Sequence, residues 1–267
     1  MTNKQNQTSW DTISKAYQQE RQISLAEVHY GPTAPGEKEL RLLGNVKGRA
    51  VLELGCGGGQ NSIVLAKWGA TVIGLDLSAI QLDQATALAE SEGVQVTFIQ
   101  QNMEDLSQFP NNSFDLVLSS HALGYVENLN AVYRETARVL NPKGFLVFCF
   151  EHPMWMIIGE ALDENDLGRV RNYFDRSRDS WDWTCLNGTT ARFEQGNWTF
   201  NEVINGLISV GLQIERIEEP QAYNLAQMDE KARSEIPYLV QSDTETSTSF
   251  RKIPFSLIVK ARKPAVK

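Results

Sequence analysis

The sequence has little of what disulfide-bonded or metal-stabilised proteins need. Only three cysteines and three histidines occur among its 267 residues. The cysteines are far apart, so no pair has the spacing of a zinc finger. We therefore expect neither a disulfide framework nor a metal site.

Long apolar runs and an excess of positive charge are also missing. No window approaches 18 consecutive apolar residues, as a membrane-spanning helix would, and the first dozen residues lack the apolar segment of a secretory signal. Acidic residues outnumber basic ones by 33 to 25, whereas proteins that bind a phosphate backbone need a basic surface. These features predict a cytoplasmic protein without a membrane or nucleic-acid partner.

Strands and helices alternate through most of the chain. Apolar runs at 50–54, 71–76, 94–100, 114–119 and 145–150 are separated by segments of helical character, and further strands are predicted at 212–217 and 253–261. Strands that alternate with helices favour right-handed crossovers and a parallel sheet covered on both faces. The sequence thus predicts a doubly wound α/β fold.

The sharpest local signal is a glycine-rich turn after the first strand, Gly55-Cys56-Gly57-Gly58-Gly59, preceded by Glu53. Glycines leave the backbone open to a ligand. A dinucleotide fingerprint would require glycine at position 60, which is Gln. Glu53 suits a ligand with a positive group, and Asp76, at the end of the second strand, is placed to accept hydrogen bonds from ribose hydroxyls.

These residues resemble the successive motifs of class I S-adenosylmethionine-dependent methyltransferases, most closely the small-molecule subgroup of the ubiquinone/menaquinone type. The resemblance runs through Asn102-Met103, Phe114-Asp115-Leu116-Val117 and Leu140-Asn141-Pro142-Lys143-Gly144. It implies a Rossmann-like sheet of seven strands in the order 3-2-1-4-5-7-6, with the seventh strand antiparallel. It also implies S-adenosylmethionine as methyl donor and S-adenosylhomocysteine as product.

The predicted donor-binding residues come from the ends of the first four strands. They are Glu53, Gly55, Cys56, Gly57, Gly59, Asp76, Leu77, Asn102, Met103, Glu104 and Ser119.

Histidines and aromatic residues are the candidates for the acceptor side. His121 and His152 follow the fourth and fifth strands, and imidazole is a common general base near neutral pH. Tyr30 is a candidate lid residue, because the N-terminal segment usually covers the site in the family. Trp155, Trp181 and Trp183 are candidates to bind a ring or an amine.

The chain is predicted to divide into four parts. Residues 1–48 form an N-terminal helical lid, 49–152 the donor-binding core, 153–197 an inserted substrate lobe, and 198–267 the C-terminal part of the core. The inserted segment breaks the alternation and is too long for a plain loop.

The predicted function is methyl transfer to a small-molecule acceptor by a monomer or homodimer, with O, N, S or C as the methylated atom. Two alternatives remain at this point: another Rossmann-type enzyme with a nucleotide cofactor, and a protein that binds S-adenosylmethionine without catalysis. A thermal-shift panel of NAD, NADP and S-adenosylmethionine would test the first alternative, and turnover of a labelled donor would test the second.

Overall fold

The computed structural model describes residues 2–21, 23–239 and 245–265. Its helices are α1 (Thr2–Arg21), α2 (Glu37–Leu40), α3 (Gln60–Lys67), α4 (Ala79–Ser91), α5 (Leu129–Val139), α6 (Pro153–Asp163), α7 (Phe200–Ser209), α8 (Glu230–Ser234) and α9 (Thr248–Lys252). Its strands are β1 (Ala50–Leu54), β2 (Thr71–Asp76), β3 (Thr97–Gln100), β4 (Phe114–Ser120), β5 (Leu140–Glu151), β6 (Asp179–Thr184), β7 (Thr190–Gln195), β8 (Gln213–Glu218) and β9 (Ser256–Arg262). Among the described residues, no helix is long and apolar enough to cross a membrane.

Seven of these strands form one sheet in the order β3-β2-β1-β4-β5-β9-β8. β9 runs antiparallel to both of its neighbours, and the other pairs are parallel. Since β6 and β7 form a separate hairpin, β8 and β9 are the sixth and seventh strands of the predicted order. The predicted fold is confirmed, and the carboxyl ends of β1, β2, β4 and β5 meet at one edge.

Apolar residues cover the sheet on both faces. One buried cluster includes Tyr133, Phe148 and Leu207, and the other includes Val64 and Phe145. A parallel sheet that is covered on both sides needs strands that are apolar throughout, which is why β1, β4 and β5 stand out in the sequence.

Several element boundaries differ from the prediction. β9 begins at Ser256 instead of 253. β3 begins at Thr97 instead of 94. β5 begins at Leu140 instead of 145, because Leu140 pairs with Phe114 of β4, and Lys143 and Gly144 exchange main-chain hydrogen bonds with Lys263. A polar loop was predicted for 241–249. Residues 241–244 lie outside the described ranges, and the end of that segment belongs to α9.

α1 and the β6–β7 hairpin pack together above the carboxyl edge of the sheet. The side-chain amide of Asn6 donates to the carbonyl of Glu194 at 2.8 Å, and the Glu194 N–H donates back to Asn6 Oδ1 at 2.9 Å. Ile13, Tyr17 and Phe193 bury the apolar side of this contact. Two segments far apart in the sequence thus form one unit, which we call the roof.

Candidate functional site

A cavity of about 550 Å³ lies between the carboxyl edge of the sheet and the roof. This is the size of an ordinary small-molecule site. One side of the cavity is the glycine-rich turn with acidic and amide side chains, and the other side is largely aromatic. The position agrees with the general rule that α/β sheets bind ligands at the carboxyl ends of their strands.

The glycine-rich turn leaves the backbone accessible to a ligand. Gly57 has φ +52°, and the nearest atom to a Cβ built there is Gln81 Nε2 at 4.0 Å, so the space beside it is open. Gly55, with φ +67°, is tightly enclosed, because a Cβ there would lie 2.2 Å from Ala122 Cβ. Both glycines line the cavity; Gly57 leaves open space there, while Gly55 also lets the turn pack on the next loop. Cys56 also lines the cavity.

Asp76 closes the turn at the end of β2. Its Oδ2 accepts a hydrogen bond from the Gly57 N–H at 2.9 Å, and its Oδ1 accepts one from the Ser78 N–H at 2.9 Å. Burial raises the pKa of this carboxyl, and the backbone N–H groups partly oppose the shift. Because carboxylate oxygens have several lone pairs, Asp76 retains acceptor capacity toward the cavity.

Glu53 is the most deeply buried acid of the site, with 2% of its surface exposed. Its Oε2 accepts a hydrogen bond from the Ser62 hydroxyl. Burial raises the pKa of Glu53 to about 8, although hydrogen bonds from Ser62 and Asn61 act in the opposite direction. A positive group in the cavity would favour the charged form.

Gln18 connects the roof to the donor side of the cavity, a contact that the sequence analysis missed. The Gln60 side chain donates to Gln18 Oε1 at 2.6 Å, and Gln18 donates to Gln81 Oε1 at 3.1 Å. A Cβ on Gly58 would lie 2.5 Å from Gln18 Nε2. No local signal marks Gln18, because its role depends on where α1 packs.

Aromatic rings form much of the remaining wall. The three predicted tryptophans, Trp155, Trp181 and Trp183, all line the cavity. Rings that the prediction omitted join them from several elements: Trp10, Tyr125, Tyr238, Phe250 and Phe255. Trp10, for example, meets Tyr17 edge to face at 5.3 Å.

His121 and Glu151 form a close pair of titratable side chains on this aromatic side. His121 Nδ1 lies 3.4 Å from Glu151 Oε1, and both side chains are mostly buried in the cavity wall. The His121 ring stacks on Phe255 with centroids 5.7 Å apart. Burial raises the pKa of Glu151, but the adjacent His121 more than compensates, so the pKa is lowered and the carboxylate is charged at neutral pH.

Three predicted residues lie just outside the cavity, each beside a neighbour that lines it. His152 caps α6: its Nδ1 accepts from the Met154 N–H at 3.0 Å, and its Nε2 contacts Glu219 at 2.8 Å. Both ring nitrogens are thus engaged away from the cavity, which is at odds with the predicted role as a base.

Ser119 and Tyr30 are the other two. The Ser119 hydroxyl donates to the Leu54 carbonyl at 2.9 Å inside the sheet, whereas Ser120 lines the cavity. Tyr30 is fully buried, and its hydroxyl donates to Glu37 at 2.7 Å. Tyr30 is therefore a core residue and not a lid, and His29 occupies the cavity wall instead.

Five further predicted residues surround the site without lining the cavity. Gly59 packs against Ala85 and Phe98 at the start of α3, and the Leu77 carbonyl accepts from Gln100. Asn102 caps the Glu104 N–H, and Glu104 accepts from the N–H groups of 127 and 128. Met103 is buried against the turn. Their donor-binding roles stay predictions.

Known proteins resemble this chain in sequence and in fold. The family model described as "Methyltransferase domain" matches residues 52–148. An uncharacterized protein of Haemophilus influenzae is 32% identical over 233 residues, covering 82% of this chain and 88% of that protein. The ubiquinone biosynthesis O-methyltransferase of Klebsiella pneumoniae is 34% identical over 105 residues, covering 39% of this chain and 43% of that enzyme.

A solved structure extends the similarity. An S-adenosylmethionine-dependent methyltransferase from Mesorhizobium loti superposes with a TM-score of 0.59 at 28% identity, covering 83% of this chain and 94% of that one. The chain therefore belongs to the class I S-adenosylmethionine-dependent methyltransferases, with S-adenosylmethionine as its cofactor.

Proposed function

We propose that this methyltransferase acts on the hydroxyl group of a small aromatic molecule. The observation that carries the proposal is that an aromatic wall and the glycine-rich turn belong to one cavity. Flat rings gain from edge-to-face and stacked contacts with aromatic side chains. The similarity to an O-methyltransferase supports oxygen as the methylated atom.

The donor half of the cavity would hold S-adenosylmethionine through three groups. Asp76 would accept hydrogen bonds from the ribose hydroxyls, Glu53 would face the ammonium group, and the open backbone at Gly57 would let the ligand approach closely. When bound, S-adenosylmethionine supplies a methyl group on a positively charged sulfur. The leaving thioether is neutral, so the protein contributes mainly proximity and alignment.

The acceptor half would position the hydroxyl and remove its proton. The His121–Glu151 pair is the candidate base, and the charged Glu151 carboxylate would stabilise a protonated imidazole beside it. The aromatic roof would keep water out of this half. In this arrangement, residues 49–152 form the donor core, completed by 198–267, while 1–48 and 153–197 supply most of the acceptor wall.

A labelled donor tests this proposal. We expect the purified protein to transfer a labelled methyl group from S-adenosylmethionine to an aromatic hydroxyl compound in a bacterial small-molecule extract, identified by mass spectrometry. His121→Asn and Glu151→Gln should lower the single-turnover rate by about 10²–10⁴ with donor affinity retained. Glu90→Gln, an exposed carboxylate outside the cavity, is the control.

Two results would contradict the proposal. Labelling of amines or thiols alone would exclude the hydroxyl acceptor. Full single-turnover rates in both His121→Asn and Glu151→Gln would exclude the pair as the base.

A further inference from the structure

Three buried side-chain atoms of residues in the cavity wall have no hydrogen-bond partner within the described part of the chain: Arg21 Nε, His29 Nδ1 and Thr33 Oγ1. Arg21 Nε has an ion-pair partner in Glu20 at 3.3 Å, which leaves His29 and Thr33. Both residues line the cavity, and their exposed fractions are only 6% and 2%. Leaving a buried polar atom unpaired costs free energy, and native proteins seldom do so without a reason. Two such atoms beside one cavity have their hydrogen-bonding capacity free for a molecule that occupies it.

The backbone of His29 is firmly held although its ring nitrogen is unpaired. Its N–H donates to Asn61 Oδ1 at 2.9 Å. Its carbonyl accepts from the Asn61 amide at 3.2 Å and from the Ser120 hydroxyl at 3.2 Å. The ring meets Tyr238 edge to face at 5.0 Å. His29 is thus held in one position while its Nδ1 has no partner among the described residues. Preorganised binding sites require this combination of a fixed residue and an available polar atom.

The segment that carries these two residues packs on the acceptor side of the cavity. Gly31 lies against the His121 ring, because a Cβ built there would be 2.0 Å from His121 Nε2. The segment that carries the unpaired atoms therefore lies beside His121 of the His121–Glu151 pair.

The chemistry of the two side chains favours a neutral partner. Burial, together with the nearby His121, lowers the pKa of His29 to about 3, so the ring is uncharged at neutral pH. A threonine hydroxyl can donate and accept, and a neutral imidazole nitrogen can do one or the other. Hydroxyl and carbonyl groups match both side chains.

We propose that His29 and Thr33 form a polar subsite that binds a neutral oxygen substituent on the aromatic acceptor. This inference rests on the proposed function, because it assumes an aromatic acceptor in this cavity. The acceptor would then carry at least two oxygen substituents: one that is methylated beside His121 and Glu151, and one that is anchored by the His29–Thr33 subsite.

Matched fragments test the subsite directly. We would measure binding of phenol, resorcinol and hydroquinone to the protein with S-adenosylhomocysteine bound, by ligand-observed NMR titration. At least one diol should bind more tightly than phenol. Thr33→Val and His29→Phe should each weaken that diol about 3- to 10-fold, as expected for one lost hydrogen bond, and leave phenol affinity unchanged.

The Tm of the ligand-free Thr33→Val variant shows whether Thr33 acts in ligand binding or in stabilising the fold. Without ligand, Thr33→Val should not lower Tm, because it removes a buried hydroxyl that has no partner. Thr136→Val is the matched control: its Oγ1 is also buried and unpartnered within the described residues, but it lies in α5, outside the cavity. It should leave diol affinity unchanged.

The subsite would be overturned if both variants kept the wild-type ratio of diol to phenol affinity, or if Thr33→Val lowered Tm while diol affinity was retained. Neither result would contradict methyl transfer by the wild-type protein. Failure of the proposed function would instead appear as the absence of labelled aromatic ethers in the extract experiment.

Discussion

Asp76 is the residue on which donor affinity should depend most. Its carboxylate is oriented by the N–H groups of Gly57 and Ser78, so its remaining acceptor sites are presented to the cavity. Hydrogen bonds to a charged acceptor are worth about 1.5–3 kcal/mol each, so Asp76→Ala should weaken S-adenosylhomocysteine binding at least about tenfold.

Isothermal titration calorimetry measures this change. Asp83→Ala removes an exposed carboxylate from the adjacent helix α4 and controls for net charge. Equal affinities for the wild type and a folded Asp76→Ala variant would rule out the ribose contact.

Glu53 makes donor binding sensitive to pH. With its pKa raised to about 8, Glu53 is mostly protonated at pH 7 in the free protein. A donor ammonium beside it would favour the carboxylate, so binding should release close to one proton, about 0.5–1. Above pH 9 the release should vanish, because the group is already ionised.

Calorimetry of S-adenosylhomocysteine binding in phosphate and in Tris buffer measures the release, because the two buffers differ in ionisation enthalpy. Glu53→Gln should abolish the difference. The same raised pKa makes the free energy of unfolding fall as pH rises from about 4.5 to about 8, and Glu53→Gln should flatten that slope. Identical wild-type heats in both buffers at pH 7 would contradict the ammonium contact.

At the scale of elements, helix α1 should respond to the donor. Gln18 bridges to Gln60 and Gln81 on the donor side, and the Ser78 hydroxyl donates to Asp11 of α1 at 2.6 Å. A ligand beneath α1 suppresses the opening motions that expose its amides. Saturating S-adenosylhomocysteine should slow exchange of α1 amides about 10- to 100-fold.

Hydrogen exchange with mass spectrometry can compare α1 with the far edge of the sheet. Peptides covering β8 are the internal control, since β8 lies four strands away from β1 in the sheet. Protection of residues 55–60 without any change in α1 would show that the roof does not close on the donor.

For the whole molecule, donor binding and folding are coupled by mass action. S-adenosylhomocysteine at a hundred times its Kd should stabilise the fold by about 2.7 kcal/mol, a Tm increase of about 5–10 °C for a chain of this size. Gly57→Val should abolish this increase, because a branched side chain would fill the open space at the turn.

Gly93→Val is the matched control for backbone strain. Gly93 has φ +66° with open space around it, and it follows α4 away from the cavity. Both variants should lose some intrinsic stability, but only Gly57→Val should lose the ligand-induced shift in Tm. A normal shift in Gly57→Val would show that the turn does not cradle the donor.

The doubly wound α/β class, the glycine-rich turn and the placement of Glu53 and Asp76 at the ends of strands were predictable from the sequence. These features depend on local patterns: apolar runs form buried strands, glycines allow positive φ, and the end of a parallel strand lies at the binding edge. The order of the strands came instead from the resemblance to a known family. The class of the protein followed from the same motifs, and the comparisons with known proteins confirm it.

Only the tertiary structure decided which of two neighbours faces the cavity. Ser120 lines it instead of Ser119, Glu151 instead of His152, and His29 instead of Tyr30. Successive side chains of an extended segment point to opposite sides, so a placement that is off by one residue reverses the side on which a side chain lies. The sequence predicted a lid in 1–48 and an inserted lobe in 153–197, but not that the two pack together into the roof. α1 meets β7 through contacts such as Asn6 with Glu194, which lie far apart in the sequence and leave no local pattern.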